Sequence, residues 1–309
     1  MSNVKMHADE PDIDAALVVR LLEQQFPDWA SLPVEAVASS GTDHALYRLG
    51  SDRVVRLPRR PEAEAQVHKE QVWLPRLARH LPLEVPIPLA CGEPAEGYPW
   101  SWSVYPWVEG ENATLDRLAD PVDAARALAG FLRALQRIDP AGGPPPGTHN
   151  FSRGVPLAAR DRGVRASLDA LQGRVDTESA LEAWEVALHA PARQTAPVWI
   201  HGDLQAGNLL AVEGRLRAVI DFGGLAVGDP ACELIVAWNL FRGEARRAFR
   251  DVLEVDEATW ERGRGWALSV GLIALPYYWD TNPDIVRDSQ GTIAEVLGEA
   301  GQTGGGVNE

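Results

Sequence analysis

Cysteine is scarce in this chain: Cys91 and Cys232 are the only two in 309 residues. Two thiols cannot form a disulfide framework or a thiolate metal cluster, so the fold must rest on buried apolar surface, and a reducing compartment is the natural setting. Long apolar runs are missing as well. The longest, such as Leu268 to Leu275, fall far short of the roughly 20 residues a membrane-crossing helix needs. Met1 to Pro11 carries Lys5, His7, Asp9 and Glu10 where a secretory signal would place its apolar stretch, so none is expected. Basic residues are in deficit too, with 29 Lys and Arg against 44 Asp and Glu, a formal charge of −15 at pH 7. That sign is wrong for gripping nucleic acid or an anionic membrane, and neither is expected as a partner. It suits a cationic small molecule. A composition of 45% hydrophobic and 24% charged residues argues against disorder and points to a cytoplasmic globular protein of one large domain or two lobes.

Hydrophobic periodicity divides the chain. Leu17, Val18, Leu21, Leu22 and Phe26 recur at helical spacing behind Asp12 or Asp14 as caps. The period then becomes strand-like over 34–38, 44–49 and 53–57, with Gly50-Ser51-Asp52 as a tight turn. A helix is predicted over 62–80, which Pro75 should bend or interrupt, and an extended aromatic segment over 98–108. Beyond Gly110 the pattern is mostly helical. The clearest case is 122–138, with Asp120 as N-cap and Pro121 at the first position. Further helices are predicted over 157–171, 178–189, 230–241, 243–253, 257–275 and 284–297. Residues 140–147, with four prolines and three glycines, must be a loop, and it hands over to His149-Asn150-Phe151-Ser152-Arg153. The expected class is α+β: a small antiparallel sheet lobe over 1–108, a larger, mostly helical lobe over 109–300, and a mobile Gly-rich tail over 301–309.

The chemistry concentrates in Val198-Trp199-Ile200-His201-Gly202-Asp203-Leu204-Gln205-Ala206-Gly207-Asn208, followed by Ala218-Val219-Ile220-Asp221-Phe222-Gly223. An aspartate after one short strand, an amide five residues later and a second aspartate after a hairpin converge at one mouth of a sheet. Phosphoryl transfer asks for this set: a carboxylate to orient the attacking hydroxyl and take its proton, and oxygen ligands for Mg²⁺ on the nucleotide phosphates. Asp203 is the candidate base, Asn208 and Asp221 the candidate metal ligands.

His-Gly-Asp, Asn five residues after the Asp, and Ile-Asp-Phe-Gly together resemble the aminoglycoside phosphotransferase family, relatives of protein kinases. The resemblance implies a bilobal kinase-like fold, ATP or GTP and Mg²⁺ as cofactors, Asp203 as catalytic base and His201 as its structural support. Gly228-Asp229-Pro230-Ala231-Cys232-Glu233-Leu234 resembles the family's Gly-Asp-Pro-x-x-Asp-Leu segment, with Glu233 for the last acid, and is expected to fix the catalytic loop. By the same resemblance Ser40, Gly41 and Thr42 lie in the loop that covers the nucleotide. Arg56 stands where kinase-like proteins usually carry a strand lysine, as in a similar Arg-hydrophobic-Pro-Arg sequence of macrolide phosphotransferases. Glu70 is its matched helix partner, ahead of Glu62 and Glu64. Pro106 and Val108 would meet the purine through main-chain groups.

Tyr277, Tyr278, Trp279 and Asp280 form either an aromatic, acidic wall for a cationic acceptor or core packing with one surface acid. Trp260, Arg262, Arg264 and Trp266 invite the same two readings. The expected activity is ATP- or GTP-dependent transfer of a γ-phosphoryl group to a hydroxyl of an amine-bearing small molecule such as an aminoglycoside or macrolide. The rivals are a metabolic kinase of the same fold, acting on choline, ethanolamine, a homoserine-like alcohol or a sugar, and a non-catalytic nucleotide-binding module.

Overall fold

The computed structural model describes residues 11–37 and 43–303. Helix α1 (Ala15–Gln25) comes first, and Asp14 caps it by accepting a hydrogen bond from the Leu17 N–H at 2.7 Å. This satisfies one of the donors that a helix start leaves free. Strands β1 (Val34–Ala36), β2 (His44–Leu49) and β3 (Arg53–Pro58), helix α2 (Pro61–Leu77), and strands β4 (Ala90–Gly92) and β5 (Trp102–Pro106) follow. The five strands form one antiparallel sheet in the order β1-β2-β3-β5-β4. Alternation along β2 buries Ala45, Tyr47 and Leu49 in one cluster with Leu17, Val18, Leu21 and Leu22 of α1. The extended segment expected over 98–108 is strand only from Trp102 to Pro106. Tyr98 instead pairs with Ala95 in an isolated antiparallel bridge and donates its hydroxyl to the Pro58 carbonyl at 2.7 Å.

Pro75 does not interrupt α2, which runs through it to Leu77. The proline lies in the last turn, where its missing N–H removes one bond next to the end, and the chain tightens into a 3₁₀ turn at Ala78–His80. Packing fixes α2 from outside the sheet as well, since Trp73 on it lies 4.7 Å, centroid to centroid, from Trp199.

The rest of the chain contributes β6 (Glu111–Asn112), α3 (Pro121–Arg137), α4 (Asp161–Ala170), α5 (Thr177–His189), β7 (Val198–Ile200), β8 (Leu209–Val212), β9 (Arg215–Val219), β10 (Ala226–Gly228), α6 (Val236–Asn239), α7 (Gly243–Leu253), α8 (Glu257–Tyr278) and α9 (Pro283–Thr303). Asp120 caps α3 through the Val122 and Asp123 N–H groups, with Pro121 at its start. Two predicted helices begin as 3₁₀ turns, Leu157–Arg160 before α4 and Pro230–Ile235 before α6, and the latter buries all six of its residues. Small antiparallel sheets, β6-β8-β9 and β10-β7, sit among the helices. Helix α9 continues to Thr303, into the stretch expected as a tail, and 304–309 lie outside the described residues.

Of the two readings for residues 260–266, the interior one holds: Trp260, Arg262, Arg264 and Trp266 are all buried. Arg262 pairs with Asp229 at 3.1 Å and Arg264 with Glu261 at 2.8 Å, so both cations carry their counter-ions inward. Among the described residues no helix is long and apolar enough to cross a membrane.

Candidate active site

Strand β7 delivers His201, Gly202 and Asp203 to the mouth of the β10-β7 pair. Gly202 has φ +86°, and a Cβ there would stand 2.4 Å from the Gly224 carbonyl oxygen, so only glycine lets this loop meet the Phe222–Gly224 turn. His201 is fully buried. Its Nε2 donates to the Ile220 carbonyl at 3.0 Å, while Nδ1 accepts from the Asp203 N–H at 3.2 Å. Burial holds its pKa down to about 4, with the Ile220 bond acting the other way, so the ring is held in its neutral form.

Glu233 grips the same loop from behind. Its Oε2 accepts from the His201 N–H at 2.9 Å and its Oε1 from the Gly202 N–H at 2.7 Å. Burial pushes this carboxyl up to about 7, against the two amide bonds, which favour the ionised form. Only the carboxylate offers two full acceptors, so kcat/KM is expected to rise with pH through about 7 as Glu233 ionises. Glu233→Gln should abolish that rise and, by leaving one buried N–H unpaired, cost about 2 kcal/mol of stability. A pH–rate profile and a urea melt of the variant check both.

Asp203 lies over a 3₁₀ turn that ends in Asn208. The Asn208 amide nitrogen donates to Asp203 Oδ2 at 3.0 Å and to the Asp203 carbonyl at 2.8 Å, which leaves the amide oxygen as its other polar atom. Burial pushes the Asp203 carboxyl above its ordinary range, while the charge of Arg153 and the Asn208 bond work against the shift. A raised carboxylate next to a fixed amide is suited to taking a proton.

Asp221 follows β9 with φ +62°, a left-handed conformation that costs a non-glycine residue energy and persists only where its surroundings enforce it. Arg56 on β3 donates to Asp221 Oδ1 at 2.8 Å and to Glu70 Oε2 on α2 at 3.2 Å. Tyr105 on β5 also hydrogen-bonds Glu70, and its ring lies under the guanidinium at 5.3 Å. Burial alone would raise the Asp221 carboxyl, but Arg56 and then His44 hold it down to about 2. Glu70 is raised, because its burial outweighs the pull of Arg56. Of the three candidate glutamates the structure brings Glu70 to Arg56. Glu64 instead accepts from the Ser101 N–H at 3.0 Å, and Glu62 is exposed.

Pro106 ends β5 and Val108 follows it, while the Trp107 N–H between them is spent on the Asp52 carbonyl at 2.8 Å. Ser40, Gly41 and Thr42 lie outside the described residues. Tyr277 is 65% exposed and packs edge-on to Tyr278, Trp279 packs half-buried against the core, and Asp280 is exposed. Arg153, from the loop segment singled out after residue 147, brings its charge to bear on Asp203, and Lys69 enters the site although no motif pointed to it. Lys69 is buried one residue before Glu70, and helical periodicity gives no sign of what a buried lysine meets.

Asp221 and the Asn208 side-chain oxygen are hard donors, and Mg²⁺ is typically bound by one or two such groups plus substrate phosphates rather than by an all-protein cage. No group of three or more His, Cys, Asp or Glu able to hold a metal occurs among the described residues.

Comparison with known proteins bears on the family and the fold. Residues 35–266 match the model of a phosphotransferase enzyme family. An aminoglycoside 3'-phosphotransferase from Escherichia coli is 29% identical over 113 residues, which span 37% of this chain and 41% of that relative. Among solved structures, the GDP complex of an aminoglycoside 2'-phosphotransferase superposes with a TM-score of 0.70 at 19% identity, covering 93% of this chain and 100% of that one. A macrolide 2'-phosphotransferase from Brachybacterium faecium superposes with a TM-score of 0.59 at 20% identity, covering 96% and 99%. At such identities the superpositions show the fold, a kinase-like α+β architecture.

Proposed function

The chain belongs to the phosphotransferase enzyme family, and from that membership we propose that it transfers the γ-phosphoryl group of ATP or GTP to a hydroxyl of a small molecule of the aminoglycoside or macrolide class. One observation carries the reading: Asp203, Asn208 and Asp221 converge with the Arg56–Glu70 pair, although β3, α2 and the catalytic segment are far apart in sequence. In this reading Asp203 takes the proton of the attacking hydroxyl, and His201 and Glu233 hold its loop. Asn208 and Asp221 hold Mg²⁺, which when bound neutralises charge on the phosphates. Arg56, steadied by Glu70, turns its fork to phosphate oxygens, a bidentate role to which a guanidinium is well suited. Ser40, Gly41 and Thr42 cover the phosphates, and the Pro106 carbonyl and Val108 N–H meet the purine. We place the change of lobe at 108/109 and the protein in the cytoplasm. Most of the catalytic effect then comes from positioning and from fixed charge.

The test is mass spectrometry on pooled aminoglycosides, macrolides and amino alcohols incubated with the protein, MgCl₂ and ATP or GTP, with Asp203→Asn as control. A gain of one phosphoryl group in a single compound, absent in the control, is the expected result. Gain in choline, ethanolamine or another amino alcohol alone would replace the acceptor class, and nucleotide binding with no product in any pool would overturn the catalytic reading.

A further inference from the structure

Helix α2 presents two neighbouring residues to the site in different ways. Glu70 meets Arg56, and Lys69 crosses to the helical region, where its Nζ donates to the Gly223 carbonyl at 2.6 Å and to His149 Nδ1 at 3.0 Å. An ammonium has only donors, so His149 must present a bare Nδ1 to it and carry its proton on Nε2, which donates to the Pro145 carbonyl at 2.8 Å. The loop that holds His149 is itself tied to the stretch after Asp221: the Val227 N–H donates to the Pro144 carbonyl at 2.8 Å, and the Asn150 amide donates to the Gly224 carbonyl at 3.3 Å. Gly223 and Gly224, which follow the left-handed Asp221, are thus held by their carbonyls from two directions.

Burying an ammonium costs free energy that a methyl-ended side chain of equal length would not incur. Burial does lower the Lys69 pKa, to about 8, against the pull of Glu70 and Asp221. What this cost obtains is geometric. The helix that registers the phosphate arginine through Glu70 also registers the metal carboxylate through Lys69, and both follow the loop containing His149.

We propose that Lys69 is a positioning residue for the phosphoryl transfer: shared between the Gly223 carbonyl and His149, its ammonium group holds the Asp221 turn in its metal-binding orientation and couples that turn to the residue 144–153 loop. The proposal rests on the reading of Asp221 as a metal ligand. It predicts a specific defect, loss of the part of nucleotide affinity that depends on Mg²⁺.

The experiment is calorimetric titration of the full chain with ADP and with GDP, each in MgCl₂ and in EDTA, for the wild type, Lys69→Met, Lys69→Arg and His149→Ala. Lys69→Met should lose about tenfold in affinity in MgCl₂ and stay within about twofold in EDTA, as when a residue supporting a metal ligand is removed. Lys69→Arg, which can still donate to Gly223, should restore most of the loss, and His149→Ala should show a smaller loss of the same kind. Equal losses with and without metal, or no loss in Lys69→Met, would overturn the proposal. Should Lys69→Met not fold, an undiminished Mg²⁺-dependent gain in His149→Ala overturns it. A wild type that binds neither nucleotide refutes the phosphotransferase reading itself, a result distinct from binding without the Mg²⁺-specific defect.

Discussion

Asp203→Asn should lower kcat by about 10²- to 10⁴-fold, the range of a positioned general base, and leave nucleotide affinity within about twofold. Asparagine has nearly the same shape, and its side-chain oxygen can still accept from the Asn208 amide, a bond of 3.0 Å in the native protein. Gly202, His201 and Glu233 continue to hold the loop, so the substitution takes away the proton acceptor and little else. Stability offers an independent check. Burial raises the Asp203 carboxyl, so the stability it contributes is fully present below its unfolded pKa and is lost as pH rises through the folded value. The asparagine variant has no such loss. Its melting temperature should match the wild type in acid and equal or exceed it at neutral pH, so that lost turnover cannot be put down to unfolding. A kcat within threefold of wild type, on any acceptor found by mass spectrometry, would remove Asp203 from the chemistry.

Local signals carried most of the architecture and roughly half of the site. Capped amphipathic helices such as α1 and α3 were legible because Asp14 and Asp120 stand next to periodic apolar stripes, and cap and stripe are features of adjacent residues. Of the β10-β7 pair only β7 was legible: Ala226-Val227-Gly228 has three residues and too little β-prone character to stand out from a loop. Pro75 misled because its effect depends on how much helix follows it, and only two residues do. At the site, spacing alone set Asp203, Asn208 and Asp221 apart. Of the groups that hold them, Arg56, Glu70 and Glu233 were reached only through the family resemblance and Lys69 not at all, since Arg56 lies 165 residues from Asp221, Lys69 154 from Gly223 and Glu233 32 from His201, separations at which no local pattern operates. A supporting contact that belongs to no motif, such as that of Lys69 with the Gly223 carbonyl, becomes visible only when the chain is folded.

Asp221→Asn carries the other large effect, with opposite signs for two ligands. If Asp221 holds the metal as proposed, removing the carboxylate takes away a donor, and the gain in nucleotide affinity on adding Mg²⁺ should fall by about 10- to 100-fold. In EDTA the same variant should bind ADP or GDP as well as the wild type or better, because Arg56 loses a competing partner and is free to turn to phosphate, while Glu70 still steadies it at 3.2 Å. Backbone strain should not confuse the result, since asparagine tolerates the left-handed conformation at φ +62° as readily as aspartate. The stability cost should be modest. The Asp221 carboxyl is held down to about 2, so its contribution is present above the unfolded value and lost as pH falls through about 2. With the side chain 41% exposed, solvent screening leaves about 1 kcal/mol of this at neutral pH. Urea melts at neutral pH and near pH 2 measure that difference, and calorimetry in MgCl₂ and EDTA measures the two affinities. Wild-type affinity for the magnesium nucleotide would strike Asp221 from the metal site.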